Sequence, residues 1–162
     1  MKKLICILTL LMLLGGCAVK TEKDDLKKPL ITGGFSFWAV TEKNGVKIKS
    51  RAEITADGAL KLSFTEPQSM AKTAVTVFDG MCEFKTDTNS FSLPKKALPA
   101  DFTANLLWGA VSATASEPVK ENGFLKYSYI CNGAACTLYT DIDSGIPVEI
   151  RSDSGVTVTC TP

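Results

Sequence analysis

The residues best suited to chemistry in this 162-residue chain are its six cysteines, and no histidine accompanies them. A thiol acts as nucleophile or metal ligand in its thiolate form, which calls for a nearby base or cation. Without imidazole a Cys–His pair is excluded, along with the commonest general base and the commonest metal ligand. Four of the cysteines, Cys82, Cys131, Cys136 and Cys160, lie in the body of the chain. Cys-x4-Cys at Cys131 and Cys136 plus two isolated cysteines is a poor match to structural zinc spacing, so no metal is expected. If Asn132 to Ala135 form a four-residue loop, Cys131 and Cys136 face each other across a hairpin. A disulfide closing so short a loop adds about 2 kcal/mol at most. The alternative is a pair of small buried thiols. Among carboxylates, Asp24-Asp25 sits in a charged, solvated stretch, and Asp141 and Asp143 flank a turn with too few oxygens for calcium. There is no Gly-x-Ser-x-Gly elbow and no phosphate-cradling loop, and Gly33-Gly34 precedes a strand rather than a helix. No catalytic residue, cofactor or enzymatic activity is expected.

The remaining two cysteines, Cys6 and Cys17, stand in a different context. Lys2 and Lys3 precede an apolar run from Leu4 to Leu14, and Leu14-Gly15-Gly16-Cys17 follows. The run has the length of a signal-peptide core and is too short to span a bilayer. The pattern resembles bacterial lipoprotein signal peptides. That resemblance implies cleavage before Cys17, acylation of Cys17 by a diacylglyceryl group and palmitate, and a lipid anchor on the extracytoplasmic face of the cell membrane. An ordinary secretory signal with an incidental cysteine is the alternative. The chain then divides into a signal peptide (1–16), a lipidated flexible tether (17–32) and one domain (33–162). From Ala18 to Pro29 the tether is charged and without period, and extended it reaches roughly 40 Å. The chain carries 18 basic and 17 acidic residues, and loss of Lys2 and Lys3 leaves it near neutral, which gives no electrostatic case for nucleic acid.

The domain must position whatever function it has on strands and turns. Phe35, Phe37 and Ala39 share a parity; Val46, Ile48, Ala52 and Ile54 alternate with Lys47, Lys49, Arg51 and Glu53. Asn44-Gly45, Asp57-Gly58, Asp79-Gly80, Asn132-Gly133, Asp143-Ser144-Gly145 and Asp153-Ser154-Gly155 punctuate further alternating runs. Pro67 ends the run Leu60, Leu62, Phe64.

Between Pro94 and Glu117 the period changes. Pro99 suits a first helical turn and Asp101 the positive end of a helix dipole. Leu98, Phe102, Leu106, Ala110 and Ala113 form one stripe. Phe102 and Leu106 are expected to pin the helix to the sheet. Leu107 and Val111 form a second stripe and Trp108 a third side, leaving Asp101, Asn105 and Ser112 as a narrow polar strip. A helix apolar nearly all round is either buried between sheet and loops or meets a hydrophobic ligand with Leu107, Trp108 and Val111.

Roughly ten strands with one main helix after the sixth predicts an α+β fold: a strongly curved antiparallel sheet, a half-barrel, with the helix on its concave face. The order of meander, Glu66-Pro67 break, Asp79-Gly80 hairpin, helix and closing set with Asp143-Ser144-Gly145-Ile146-Pro147 resembles the outer-membrane lipoprotein carrier (LolA-like) family and related Gram-positive lipoproteins. The resemblance covers about Gly34 to Thr161. It departs at Pro67 to Lys72, too short for more than a turn of helix, and in lacking a long helix before the first strand. It implies an apolar cavity that holds acyl chains. The expected function is a membrane-anchored lipoprotein that binds a lipid or other hydrophobic ligand. The alternative is a filled-core lipoprotein that presents a surface to another envelope protein.

Overall fold

In the computed structural model, residues 34–113 and 117–162 are described. The leader, Cys17 and the tether lie outside the described residues. The strands are β1 (Phe35–Lys43), β2 (Val46–Ile54), β3 (Leu60–Glu66), β4 (Ala74–Phe78), β5 (Met81–Lys85), β6 (Ser90–Pro94), β7 (Val119–Glu121), β8 (Phe124–Cys131), β9 (Ala134–Asp141), β10 (Pro147–Ser152) and β11 (Thr157–Thr161). The α-helix, α1, runs Thr103–Ala113, after one 3-10 turn at Lys95–Ala97. Among the described residues none of the helices is long and apolar enough to cross a membrane.

All eleven strands belong to one antiparallel sheet in the order β6-β5-β4-β3-β2-β1-β11-β10-β9-β8-β7. Two meanders meet at its centre, where Trp38 of β1 stands opposite Thr161 of β11 and Glu42 opposite Thr157. The sheet is not closed; β6 and β7 are its edges, and α1 lies in the connection between them. The eleventh strand, β7, is the one the periodicity missed. It has three residues, and its turn, Asn122-Gly123, follows too short a run to show alternation. The hairpins expected at Asn44-Gly45, Asp79-Gly80 and Asn132-Gly133 are present, each with both residues at positive φ. That backbone matches the right-handed twist of the flanking strands, and asparagine, aspartate and glycine tolerate it.

Alternation sends one face of the sheet inward. Phe37, Ala52, Leu62 and Val75 are successive register partners across β1 to β4. Tyr127, Leu138, Ile150, Val158 and Thr41 continue the inner face across β8 to β11 and back to β1. Helix α1 lies on this face, touching β8, β9 and β10 and also β3 and β4. Departures occur at Val46 and Val148. Val46 is exposed at the start of β2 despite its apolar parity. In β10 the register slips between Pro147 and Glu149, and Val148 joins a cleft lined also by Tyr139, Glu149 and Arg151.

The helix begins later than Pro99. Phe102 N–H donates to Pro99 O in a preceding turn, and the helix opens at Thr103, whose Oγ1 hydrogen-bonds Thr41 Oγ1 at 2.8 Å in the core. Asp101 does not sit in the first turn; its carboxylate pairs with Lys43, and that hydrogen bond holds its pKa below the ordinary value. The polar strip also fails at Asn105, which is buried. Its Nδ2 donates to Pro99 O at 2.7 Å and to Leu98 O at 3.3 Å. Buried carbonyls need donors, and a short amide is what reaches them here.

Cys82, Cys131, Cys136 and Cys160 are free thiols. The expected disulfide between Cys131 and Cys136 supposed a four-residue loop. The turn has two residues, so Cys131 faces Ala134 and Cys136 faces Tyr129. The two thiols are diagonal neighbours on the inner face, each packed as a small hydrophobe. Burial raises the pKa of all four. Cys160 is pushed from 9.0 up to about 12, by burial first and by the charge of Glu149 second. Its proton is held more tightly in the folded chain than in the unfolded one. The corresponding stability is complete below about pH 9 and declines as pH rises toward about 12. At about pH 10 the loss is on the order of 1 kcal/mol. Urea unfolding of the Cys160→Ala variant should therefore differ less between about pH 8 and about pH 10 than the parent, by that amount. An unchanged difference would show that Cys160 does not contribute.

Candidate functional site

The seam between α1 and β8 and the β6 edge each combine apolar groups with accessible backbone or polar groups. The seam is built by close approach. Gly109 faces Tyr129; a Cβ at Gly109 would lie 2.6 Å from Tyr129 Cε2 and 3.1 Å from Cδ2. The ring is fixed from its far end, where the hydroxyl donates to Leu106 O at 2.8 Å. Burial drives the Tyr129 pKa far above its ordinary value, so the hydroxyl stays a donor. Two residues further along β8, Cys131 Sγ donates to Asn105 O at 3.2 Å. Asn132 Nδ2 donates to Leu98 O at 3.2 Å, tying the β8–β9 turn to the chain entering α1. Beside this seam is a cleft of about 240 Å³ lined by Lys95, Gly109, Ala113, Tyr129, Ile130, Cys131 and Asn132. Ile130, on its rim, is 70% exposed.

The ligand residues expected from the sequence are not gathered there. Leu107 is buried in the core, whereas Trp108 and Val111 are half-buried and packed against it. Lys95 Nζ stands 6.0 Å from the Trp108 ring, at the outer limit of a cation–π contact. None of the three lines the cleft. The pin on the other stripe is divided. Leu106 is fully buried, but Phe102 is half-buried and lies between Phe64 and Phe84, with ring centroids 6.5 and 6.0 Å away.

That aromatic row leads to the second place. Phe84 stacks on Phe91 of β6 with centroids 5.0 Å apart and rings 2° from parallel. Phe91 is 55% exposed although its register partner Phe84 belongs to the inner face. The row Phe64, Phe102, Phe84, Phe91 thus runs from the core to the open edge of the sheet. Sequence reasoning missed it, because Phe91 in a five-residue run gave alternation but no sign that its strand ends the sheet. The outer face carries a further cleft of about 180 Å³, lined in part by Glu121, Tyr139, Glu149 and Arg151. Its charges are already paired: Lys126 with Glu121 at 2.9 Å, and Arg151 with Glu149. Among the described residues no group of histidine, cysteine and carboxylate side chains could hold a metal ion.

No protein-family model matches the sequence, and no curated protein does. Some solved structures align with part of the chain. An uncharacterized conserved protein from Thermus thermophilus is 13% identical, with 80% of this chain and 76% of that chain covered and a TM-score of 0.47. LprF from Mycobacterium bovis is 12% identical, with 78% and 83% covered and a TM-score of 0.36. MucB, in a complex with MucA(peri), is 17% identical, with 78% of this chain covered and a TM-score of 0.38. The aligned part spans 47% of that MucB chain.

The seam makes a testable demand on Gly109. Alanine gains about 1 kcal/mol of helix propensity. Overpacking against a ring that is hydrogen-bonded at its far end costs about 1–3 kcal/mol. Gly109→Ala should therefore lower the free energy of urea unfolding by up to about 2 kcal/mol, whereas a stabilised variant would show the seam to be loose.

Proposed function

We propose that this protein is a non-enzymatic, lipid-anchored protein of the cell envelope that works by presenting its surface to a protein partner, with a filled interior rather than a ligand cavity. The observation that carries this reading is the inner face. Leu60, Leu62, Val75, Leu106, Leu125 and Leu138 have no surface that a water molecule could touch. A space able to hold an acyl chain leaves its lining accessible, and small-molecule sites occupy about 300–1,000 Å³. The cleft beside α1 is smaller and lies at the surface. Leu107, expected on the ligand side, is buried with the core.

The half-barrel belongs to the same reading. Helix α1 has 11 residues, about 16 Å of length. It nevertheless touches β4 and β8, seven places apart in the sheet order. At about 4.8 Å per strand a flat sheet would separate those strands by about 34 Å, so a sheet bent round the helix, as in the LolA-like layout, accounts for both contacts. The anchor at Cys17 and the extracytoplasmic location rest on the Leu14-Gly15-Gly16-Cys17 pattern.

Native mass spectrometry of the full chain extracted from membranes in mild detergent tests both halves of the proposal. The expected spectrum shows acyl groups on the chain at Cys17 and no co-purified lipid. Stoichiometric retained lipid would return the function to hydrophobic-ligand binding. Cys17→Ala should leave the chain unprocessed or released from washed membranes, and a cleaved variant that stays with them would overturn the anchor.

A further inference from the structure

Strand β6 ends the sheet, and the hydrogen-bond phase of its hairpin decides what its outer side offers. Thr86 N–H donates to Asn89 O, and Lys95 N–H donates to Gly80 O, each at 2.8 Å. In an antiparallel pair, bonded and non-bonded positions alternate. Phe91 and Leu93, opposite Phe84 and Cys82, therefore direct their backbone groups to β5. Ser90, Ser92 and Pro94 direct theirs away from the sheet. Proline has no N–H, so the outward donors of β6 are those of Ser90 and Ser92. The strand is exposed apart from half-buried Leu93. The opposite edge, β7, is three residues long with Lys120 at its centre, the short, charged kind of edge that resists pairing. Among the described residues nothing comparable blunts β6 before Pro94.

We propose that β6 pairs antiparallel with β6 of a second copy of this chain, with Phe91 on the two-fold axis. In this register Ser90 of one copy stands opposite Ser92 of the other, and both outward donors of each copy meet outward carbonyls. No bond is asked of Pro94. Phe91 meets its own equivalent at a non-bonded position, where side chains approach most closely. Each half-exposed ring, already stacked on Phe84, is then covered on its open side. Charge fits the same choice. The turn before β6 carries Asp87, which pairs with Lys72 of its own copy at 2.7 Å, and the chain after it carries Lys95 and Lys96. Antiparallel self-pairing about Phe91 brings Asp87 of each copy toward Lys95 of the other. A parallel arrangement would set like charges together. The edges are short, so the contact falls below the roughly 1,200 Å² of standard interfaces and is expected to be weak in dilute solution. The proposal names the partner for the surface-presenting reading above and rests on that reading in taking β6 as a docking edge.

Position-specific cross-linking of the full chain tests it. Across a non-bonded antiparallel pair the Cα atoms lie about 4.5 Å apart, within disulfide range. Phe91→Cys should give a covalent dimer under mild oxidation, seen on a non-reducing gel. Ser90→Cys, Ser92→Cys and Ile130→Cys should each give far less. Adding Ser92→Pro to the Phe91→Cys chain should abolish most of the cross-link, since it removes an outward donor and leaves the β5 bonds in place. Should Ser92→Pro prove unfolded by circular dichroism, sedimentation of the otherwise unaltered chain against Phe91→Lys reads the same contact, with a concentration-dependent dimer in the first and monomer in the second. No Phe91→Cys dimer, equal cross-linking at all four positions, or a dimer indifferent to Phe91→Lys would overturn the proposal. A Phe91-centred dimer that carries co-purified lipid would support the pairing while overturning the filled-interior reading, so the two failures are told apart.

Discussion

The inner face of the sheet brings Phe37, Leu62, Val75, Leu125, Leu138 and Ile150 together, and α1 is the helix that covers them among the described residues. Eleven helical residues must shield strands from β3 and β4 to β8, β9 and β10. Most of the helix's features answer to that task. It is apolar on more than one side because more than one side is enclosed. It approaches β8 at Gly109 because a larger residue would hold the two apart. Its entry loop is tied down through carbonyls, by Asn105 and Asn132, because a loop pressed against a core must find donors for its backbone.

The sheet was legible in the sequence to a degree the helix surroundings were not. Strand alternation and Asn-Gly or Asp-Gly turns are local signals, and they placed most strands and the helix insertion after the sixth. What they lacked was context. A three-residue strand such as β7 has no period to read. Asn105 looked polar and therefore external, since its carbonyl partners depend on how the loop at Leu98 and Pro99 folds back. The Cys131–Cys136 pairing failed on turn length alone: a two-residue turn and a four-residue loop keep the same parity but change which residue faces which.

The candidate site was less legible still. Leu107, Trp108 and Val111 were grouped by helical angle, but angle does not say which side of a helix meets protein. The β6 edge could not be seen from the sequence because being an edge is a property of the whole strand order. The order places the sixth strand, not the first or last, at the rim. The aromatic row from Phe64 to Phe91 follows from that order, as inward residues of neighbouring strands run out to the rim.

The same strand order places the two ends of the described fold at its middle. β1 is paired along its whole length with β2 on one side and over Trp38 to Glu42 with β11 on the other. A pull delivered through residue 34 therefore reaches β1 first, a strand bonded on both sides. The domain is thus held at an interior strand, five places in the sheet order from the β6 rim.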